Sequence, residues 1–271
     1  MTSNPSLRRL IVIVAVAGSL LVAGLTFRAA SLWAASQAPL SIAPVSVDSV
    51  QQALEQERAR SAALEAQLRE LYRHPSSLVK AKVIAQLDEH ARTFIAHAPF
   101  VLIGTSAPDG TADVSPKGGP PGFVVVLDDD HLAIPDLAGN NLLDSISNVV
   151  TGSGVGLLFL IPGVEETLRV NGHACLTTDP DILDACAVKD RRPKAAIGVT
   201  VVEQFMHCAK AFRRSELWQP ESWPDRASLP TLGCIIKDQI PGVGDVDAAA
   251  IDASLEQDYA ATLWEPGGKR E

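Results

Sequence analysis

Within residues 113–148, Ser115-Pro116-Lys117-Gly118 is followed by the apolar strand Leu132–Asp136 and then by Gly139-Asn140-Asn141. The side chains place one cation beside glycine-rich backbone. Gly139-Asn140-Asn141 in turn opens what reads as a helix. Glycine-turn amides, a nearby ammonium and a helix N-terminus are the parts that seat a phosphate against a β scaffold. On this pattern Lys117 lies in a Gly/Pro turn directly after a short strand, and the stretch is built to hold a phosphorylated small molecule.

Other chemistries are excluded by spacing. Cys175, Cys186, Cys208 and Cys234 are far apart and form no C-x-x-C pair, so they read as free structural thiols, not zinc ligands or a redox pair. The six histidines include no H-E-x-x-H and no i, i+4 pair, and His90 and His97 read as surface or interface residues. No metal site is expected. Gly152-x-Gly154-x-Gly156 precedes a strand instead of opening a helix, so it is no dinucleotide fingerprint, and Lys117-Gly118-Gly119 lacks the order of a P-loop. There is no G-x-S-x-G nucleophile elbow, and no side chain stands out as acid, base or nucleophile.

A net charge of −9 argues against nucleic acid as a partner, because that needs clustered lysine and arginine. The 271 residues, 46% hydrophobic and 20% charged, suit one globular domain with an appendage.

That appendage is N-terminal. Leu10 to Phe27 is uncharged for 18 residues, the lower bound for a membrane-spanning helix. The run is long for a secretory signal, although Ala29-Ala30-Ser31 and Ala34-Ala35-Ser36 offer cleavage sites. The reading is a tail and anchor, or signal, over 1–35. Arg8 and Arg9 precede the run and only Arg28 follows closely, which places the globular domain outside the cytoplasm. Arg8-Arg9 before the run also fits a weak twin-arginine signal. A linker and stalk helix occupy 36–75. There Val47, Val50, Leu54, Leu64, Leu68 and Leu71 follow a coiled-coil seam that Glu57 and Ser61 interrupt.

The globular domain is expected over 76–271. Leu78 to Ile95 is predicted as one amphipathic helix ending before Pro99. Strands are expected at 100–105, 112–115, 123–127, 132–134, 155–161, 168–176 and 197–204. Pro108-Asp109-Gly110 and Pro162-Gly163 supply turns between them, and a helix is inserted over 140–150. Without regular crossover helices this is a mainly β (α+β), antiparallel barrel with flanking helices. Asp245–Trp264 reads as an acidic helix covering it.

With these elements placed, the chain resembles the pyridoxamine 5′-phosphate oxidase-like, flavin-binding split-barrel family, in an uncharacterised branch. The residues that carry the likeness are Ser115-Pro116-Lys117-Gly118, Leu132–Asp136, Gly139-Asn140-Asn141, Leu168–Gly172, Cys208-Ala209-Lys210 and Arg214-Ser215-Glu216-Leu217-Trp218. The resemblance implies a six-stranded split barrel, a homodimer, and FMN in the groove between subunits. It places Ser115, Lys117 and Gly118 at the strand-turn meeting the flavin and its phosphate, and Asn140 and Asn141 at the helix start. Arg169, Lys210, Arg214, Ser215 and Trp218 would approach ring or phosphate, in part from the second subunit. Leu142 and Ser147 stand where relatives carry arginine, which weakens a phosphate site.

Each of these residues also has a plainer role. Arg169 can pair with a neighbouring carboxylate, Lys210 and Arg214 can line a solvated helix, and Trp218 can pack the C-terminal segment. The function expected is a membrane-anchored FMN-dependent oxidoreductase acting on a small substrate. The alternatives are a non-catalytic flavin or haem binder and a tethered scaffold with a degenerate pocket.

Overall fold

The computed structural model describes residues 47–152, 154–243 and 246–267, which fall into two compact units divided at Pro75/Ser76. The 10–27 segment lies outside the described residues. Among the described residues no helix is long and apolar enough to cross a membrane. The first unit contains helix α1, Val47–Leu71, with Asp48 in its first turn and Arg69 in its last, the charge order that suits the helix dipole. Leu54, Leu64, Leu68 and Leu71 of the heptad seam are exposed.

The second unit is an antiparallel sheet of seven strands: β1 Phe100–Ser106, β2 Ala112–Gly118, β3 Val125–Val126, β4 His131–Pro135, β5 Gly154–Leu160, β6 Thr167–Thr177 and β7 Ala196–His207. Their order is β2-β1-β5-β6-β7-β4-β3, so β2 and β3 are the edges. All seven expected strands are present. The six strands implied by the resemblance are joined by the two-residue β3.

The turns follow local chemistry. Gly110 takes a φ of 89° in the β1–β2 hairpin, while the Asp109 carboxylate accepts from the Thr111 amide and hydroxyl. Asp128 plays the same part before β4, accepting from the Asp130 amide and facing the His131 ring. Along β1 and β5 buried residues alternate with half-buried ones, the period-2 signature of a sheet with one dry face. Ile103, Leu157, Val170, Phe159, Leu168 and Val199 form that face. It is covered by α3, Glu89–His97, which buries Ala91 and Ile95 and is capped by Asp88, and by α4, Asp144–Thr151, through Val149.

Several boundaries differ from the sequence reading. The helix expected over 78–95 is two, α2 Ser77–Ala81 and α3, because Ile84 leaves the helix to exchange backbone hydrogen bonds with Gln204 at 3.1 and 2.8 Å. The strand expected over 123–127 shrinks to Val125–Val126: Phe123 closes a turn onto Pro120, and it and Val124 enter the core. β2 runs on through Pro116 to Gly118, which an edge strand permits since proline offers no amide to the ladder. Lys117 is therefore a strand residue and not a turn residue. The helix expected from Asn140 begins at Asp144. The remaining helices are α5 Pro180–Ala185, α6 Lys210–Ser215, α7 Leu232–Gln239 and α8 Ala248–Thr262, the last narrower than the 245–264 expected. The cysteines are all free, and burial pushes the Cys186 thiol up to about 11. His90 and His97 are exposed.

A bulge between Asn171 and Gly172 shifts the β6–β7 register, and a Cβ on Gly172 would collide with the Thr200 carbonyl oxygen. Gly172→Ala is expected to destabilise the protein by about 1–3 kcal/mol, read as a lower denaturant midpoint. An unchanged midpoint would show that the bulge gives way without cost.

Candidate functional site

The register decides which way each β2 residue faces. Ser115 and Lys117 stand opposite Ile103 and Val101, both fully buried, so they project onto the core side of the sheet at its open edge. Helix α4 lies against this side. The Ser145 hydroxyl donates to Ser115 Oγ at 2.9 Å. The buried Asn148 amide donates to Thr105 Oγ1 at 3.0 Å and to Asp113 Oδ2 at 2.8 Å. These bonds pin the helix to the strand and leave a small cleft of about 90 Å³ beyond its N-terminus, next to a further space of about 290 Å³.

Ser115, Lys117, Asn140 and Asn141 line that cleft, and Gly118 lines the space that continues from it past Pro135. Sequence reasoning thus named five residues that the fold brings to one place. Asn140 does not open the helix; its side chain accepts from the Leu142 amide, and the chain turns through Asn141 and Leu143 with φ of 58° and 61°. Leu143 caps α4 with no side-chain hydrogen bond. As a result the amides of Gly139, Asn140, Asn141, Asp144 and Ser145 have no acceptor among the described residues. Consecutive unpaired amides beside an ammonium suit an anionic oxygen group.

Sequence reasoning missed the other side of the balance. Asp136 and Asp144 line the same cleft. Asp144 in the first turn of α4 complements the helix dipole, a signal readable only once the helix start is known. Asp136 is half-buried behind Gly267, whose amide donates to the Asp136 carbonyl at 3.0 Å. Burial raises the Asp136 carboxyl above the ordinary carboxylate range, and Lys117 pulls it only partly back. Leu142 and Ser147 are exposed and add no cation.

The remaining expected residues are not brought to this cleft within one chain. Arg169 stands in register with Leu158, Leu102 and Pro116, which puts it three strands from β2 and on the opposite face. There its guanidinium lies over the Phe205 ring at 4.1 Å and donates to Glu203 at 3.1 Å. Lys210, Arg214 and Ser215 are exposed on α6, where Arg214 and Ser215 bond carbonyls of their own turn. Trp218 stacks on Phe212 at 5.5 Å and donates to the Val164 carbonyl at 2.9 Å, while Arg213 pairs with Glu165 at 2.7 Å. In a single chain this group docks the 209–219 segment onto the β5–β6 turn. Among the described residues there is no cluster of metal-ligating side chains.

A carboxyl whose pKa is higher in the folded than in the unfolded chain costs stability above its folded pKa, and the cost disappears once the pH falls below the unfolded value. Asp136→Asn is therefore expected to raise Tm at pH 7 and to lose that advantage below about pH 4. Thermal unfolding across pH checks this. A lower Tm at pH 7 would mean that Asp136 is a net stabilising partner of Lys117.

Residues 87–208 match the pyridoxamine 5′-phosphate oxidase family, as the motifs implied. No curated protein matches the chain. Among solved structures, a pyridoxamine 5′-phosphate oxidase-like protein of Lactobacillus delbrueckii is 24% identical, over 45% of this chain and 95% of that one, with a TM-score of 0.37. The HupZ protein of Group A Streptococcus is 15% identical over 45% and 99%, with a TM-score of 0.38. The FAD binding protein of Mycobacterium smegmatis is 15% identical over 46% and 97%, with a TM-score of 0.34.

Proposed function

We propose, for a chain whose residues 87–208 match the pyridoxamine 5′-phosphate oxidase family, that the second unit is a flavin-dependent oxidoreductase domain that binds FMN. The observation that carries this reading is that Lys117, on the core side of the edge strand, lines one cleft with Gly139, Asn140, Asn141, Asp144 and Ser145, whose amides have no acceptor among the described residues. The phosphate would rest on Lys117 and those amides, with Ser115 held toward it by Ser145. When bound, the flavin supplies hydride or electron transfer to a small substrate; the residues of the chain bind and orient it.

A homodimer completes the proposal. The outer face of the sheet exposes or half-exposes Val114, Leu102, Leu158 and Leu160 around the side-chain-free Gly104 and Gly156, and a contiguous apolar patch of this kind calls for cover. In that dimer Arg169, Lys210, Arg214, Ser215 and Trp218 serve the cofactor seated on a second copy. The heptad seam of α1 adds a parallel contact between copies, and residues 10–27 anchor the assembly to a membrane, with the second unit outside the cytoplasm.

A second reading, a non-catalytic flavin or haem binder, is favoured by Asp136 and Asp144 in the cleft and by the uncharged Leu142 and Ser147. Purified protein with a flavin spectrum that nicotinamide donors reduce anaerobically supports the enzyme. A spectrum that no donor changes supports the binder. Colourless protein that ignores added FMN removes both flavin readings.

Lys117→Ala is expected to weaken FMN at least several-fold, as loss of a charge-assisted hydrogen bond of about 1.5–3 kcal/mol requires, with the fold kept as judged by circular dichroism. Equal titration curves would take Lys117 out of the phosphate role. For the dimer, Leu158→Arg is expected to yield monomers in sedimentation at micromolar concentration and to lower FMN occupancy with them. Wild-type protein that sediments as a monomer would dispose of the two-copy site.

A further inference from the structure

The C-terminal segment, outside the matched 87–208, returns to the cleft and encloses one of its acids. After α8 the chain runs back along the 136–138 loop. Ala138 donates to the Glu265 carbonyl at 2.9 Å, Leu137 bridges Pro266, and the Gly267 amide donates to the Asp136 carbonyl at 3.0 Å. Trp264 packs on the core and ties this return to the domain. Gly267 then lies so close to the Asp136 carboxylate that a Cβ there would overlap it. Asp136 is thus backed by Gly267 and lines the Lys117 cleft.

No hydrogen bond reaches that carboxylate among the described residues. The charged side chains lining the cleft are Lys117 on β2, Asp136 itself and Asp144 at the start of α4, and the returning segment adds only Gly267. Lys117 attracts Asp136, while burial opposes its ionised form. An anion in this cleft therefore meets donors at Lys117 and the loop amides but an acceptor at Asp136. An ionised carboxylate and an ionised oxyanion have no hydrogen to share, and two like charges in one site do not both persist. One proton has to enter with the anion.

We propose that Asp136 makes this cleft selective for a phosphate monoester, which can bring that proton, over oxyanions that cannot, such as sulfate or the diphosphate bridge of a dinucleotide. A monoester loses its last proton near about pH 6, so around neutrality it supplies a hydrogen to Asp136 at small cost. Sulfate and a diphosphate bridge are fully ionised there, which leaves Asp136 as the single group able to take up the proton. FMN ends in a monoester and FAD does not, so the same carboxylate selects the mononucleotide. The choice of FMN over FAD rests on the function proposed above, whereas the choice of phosphate over sulfate does not.

The purified full-length protein is titrated calorimetrically with inorganic phosphate, sulfate, FMN and FAD, in buffers of different ionisation enthalpy. Phosphate is expected to bind about ten-fold or more tighter than sulfate near neutral pH, and FMN tighter than FAD by a similar factor. Proton uptake should approach one per FMN above the second phosphate pKa of about 6 and fall away below it. Asp136→Asn, folded as judged by circular dichroism, should abolish the uptake and bring sulfate within about three-fold of phosphate. Asp144→Asn should strengthen both inorganic anions and leave their ratio unchanged. Preference for phosphate with no binding of either flavin removes the flavin reading and leaves this selectivity standing. The proposal is overturned by equal affinity for phosphate and sulfate, by equal affinity for FMN and FAD, by binding without proton uptake, by an unchanged ratio in Asp136→Asn, or by absence of saturable binding of phosphate and FMN alike.

Discussion

The carboxamide of Asn148 is the constraint on which the cleft depends. It is buried, and its nitrogen has two hydrogens, one given to Thr105 on β1 and the other to Asp113 on β2. A buried amide without partners costs about 1–3 kcal/mol, so the helix that carries it has little freedom to slide. One turn earlier Ser145 repeats the attachment on Ser115. Together they set the spacing between the edge strand and the 136–144 loop, and that spacing is the cleft. The amides of Gly139, Asn140, Asn141 and Asp144 stay unpaired among the described residues, and the helix is held by its inward polar side chains and not by a cap at its start. Anchoring and open amides are two results of one placement.

The electrostatics of the cleft follow from the same geometry. Lys117 points from a strand whose facing residues are dry, so its stem runs along apolar surface and its head reaches the open end. There it meets Asp136, which burial holds above the ordinary carboxylate range. With Asp144 nearby, the side chains alone carry more negative than positive charge. The amides therefore decide whether an anion is welcome: each hydrogen bond to a charged oxygen is worth about 1.5–3 kcal/mol, and the residues that carry the unpaired amides line the cleft. A phosphate drawn into this cleft would favour the protonated form of Asp136, which links anion binding to proton uptake.

Much of the sheet was legible in the sequence because apolar alternation and Asp/Gly turn chemistry are local. Pro108-Asp109-Gly110 and Asp128–Asp130 turn as their residue types dictate, and β1, β5, β6 and β7 fall close to where alternation places them. The failures are non-local. Ile84 obeys the helical period of its neighbours, yet pairing with Gln204 pulls it into an extended bridge. Phe123 and Val124 read as strand, but the core takes both side chains and leaves only two residues to pair. At the cleft, Ser115, Lys117, Gly118, Asn140 and Asn141 were found by residue type. Asp136, Ser145, Asn148 and Gly267 were not, since their part depends on which strand α4 crosses and where the segment after α8 returns.

The two faces of the sheet differ in completeness. The inner face is dry and closed by α3 and α4. On the outer face Arg169 gives one nitrogen to Glu203, which also accepts from Asn171 at 2.8 Å, and stacks its plane on Phe205. Its Nε is buried with no acceptor among the described residues. A donor withdrawn from water and left unpaired costs about 1–3 kcal/mol, and the rows around it, Leu102, Leu158 and the bare glycines, are only half covered. Polar pairing and apolar burial are thus both unfinished at the same place. One further surface laid on that face would answer both deficits: an acceptor for Arg169 and dry contact for the leucines. In the proposed dimer, the identical face of a second copy would offer the dry contact together with the carboxylate of Glu203.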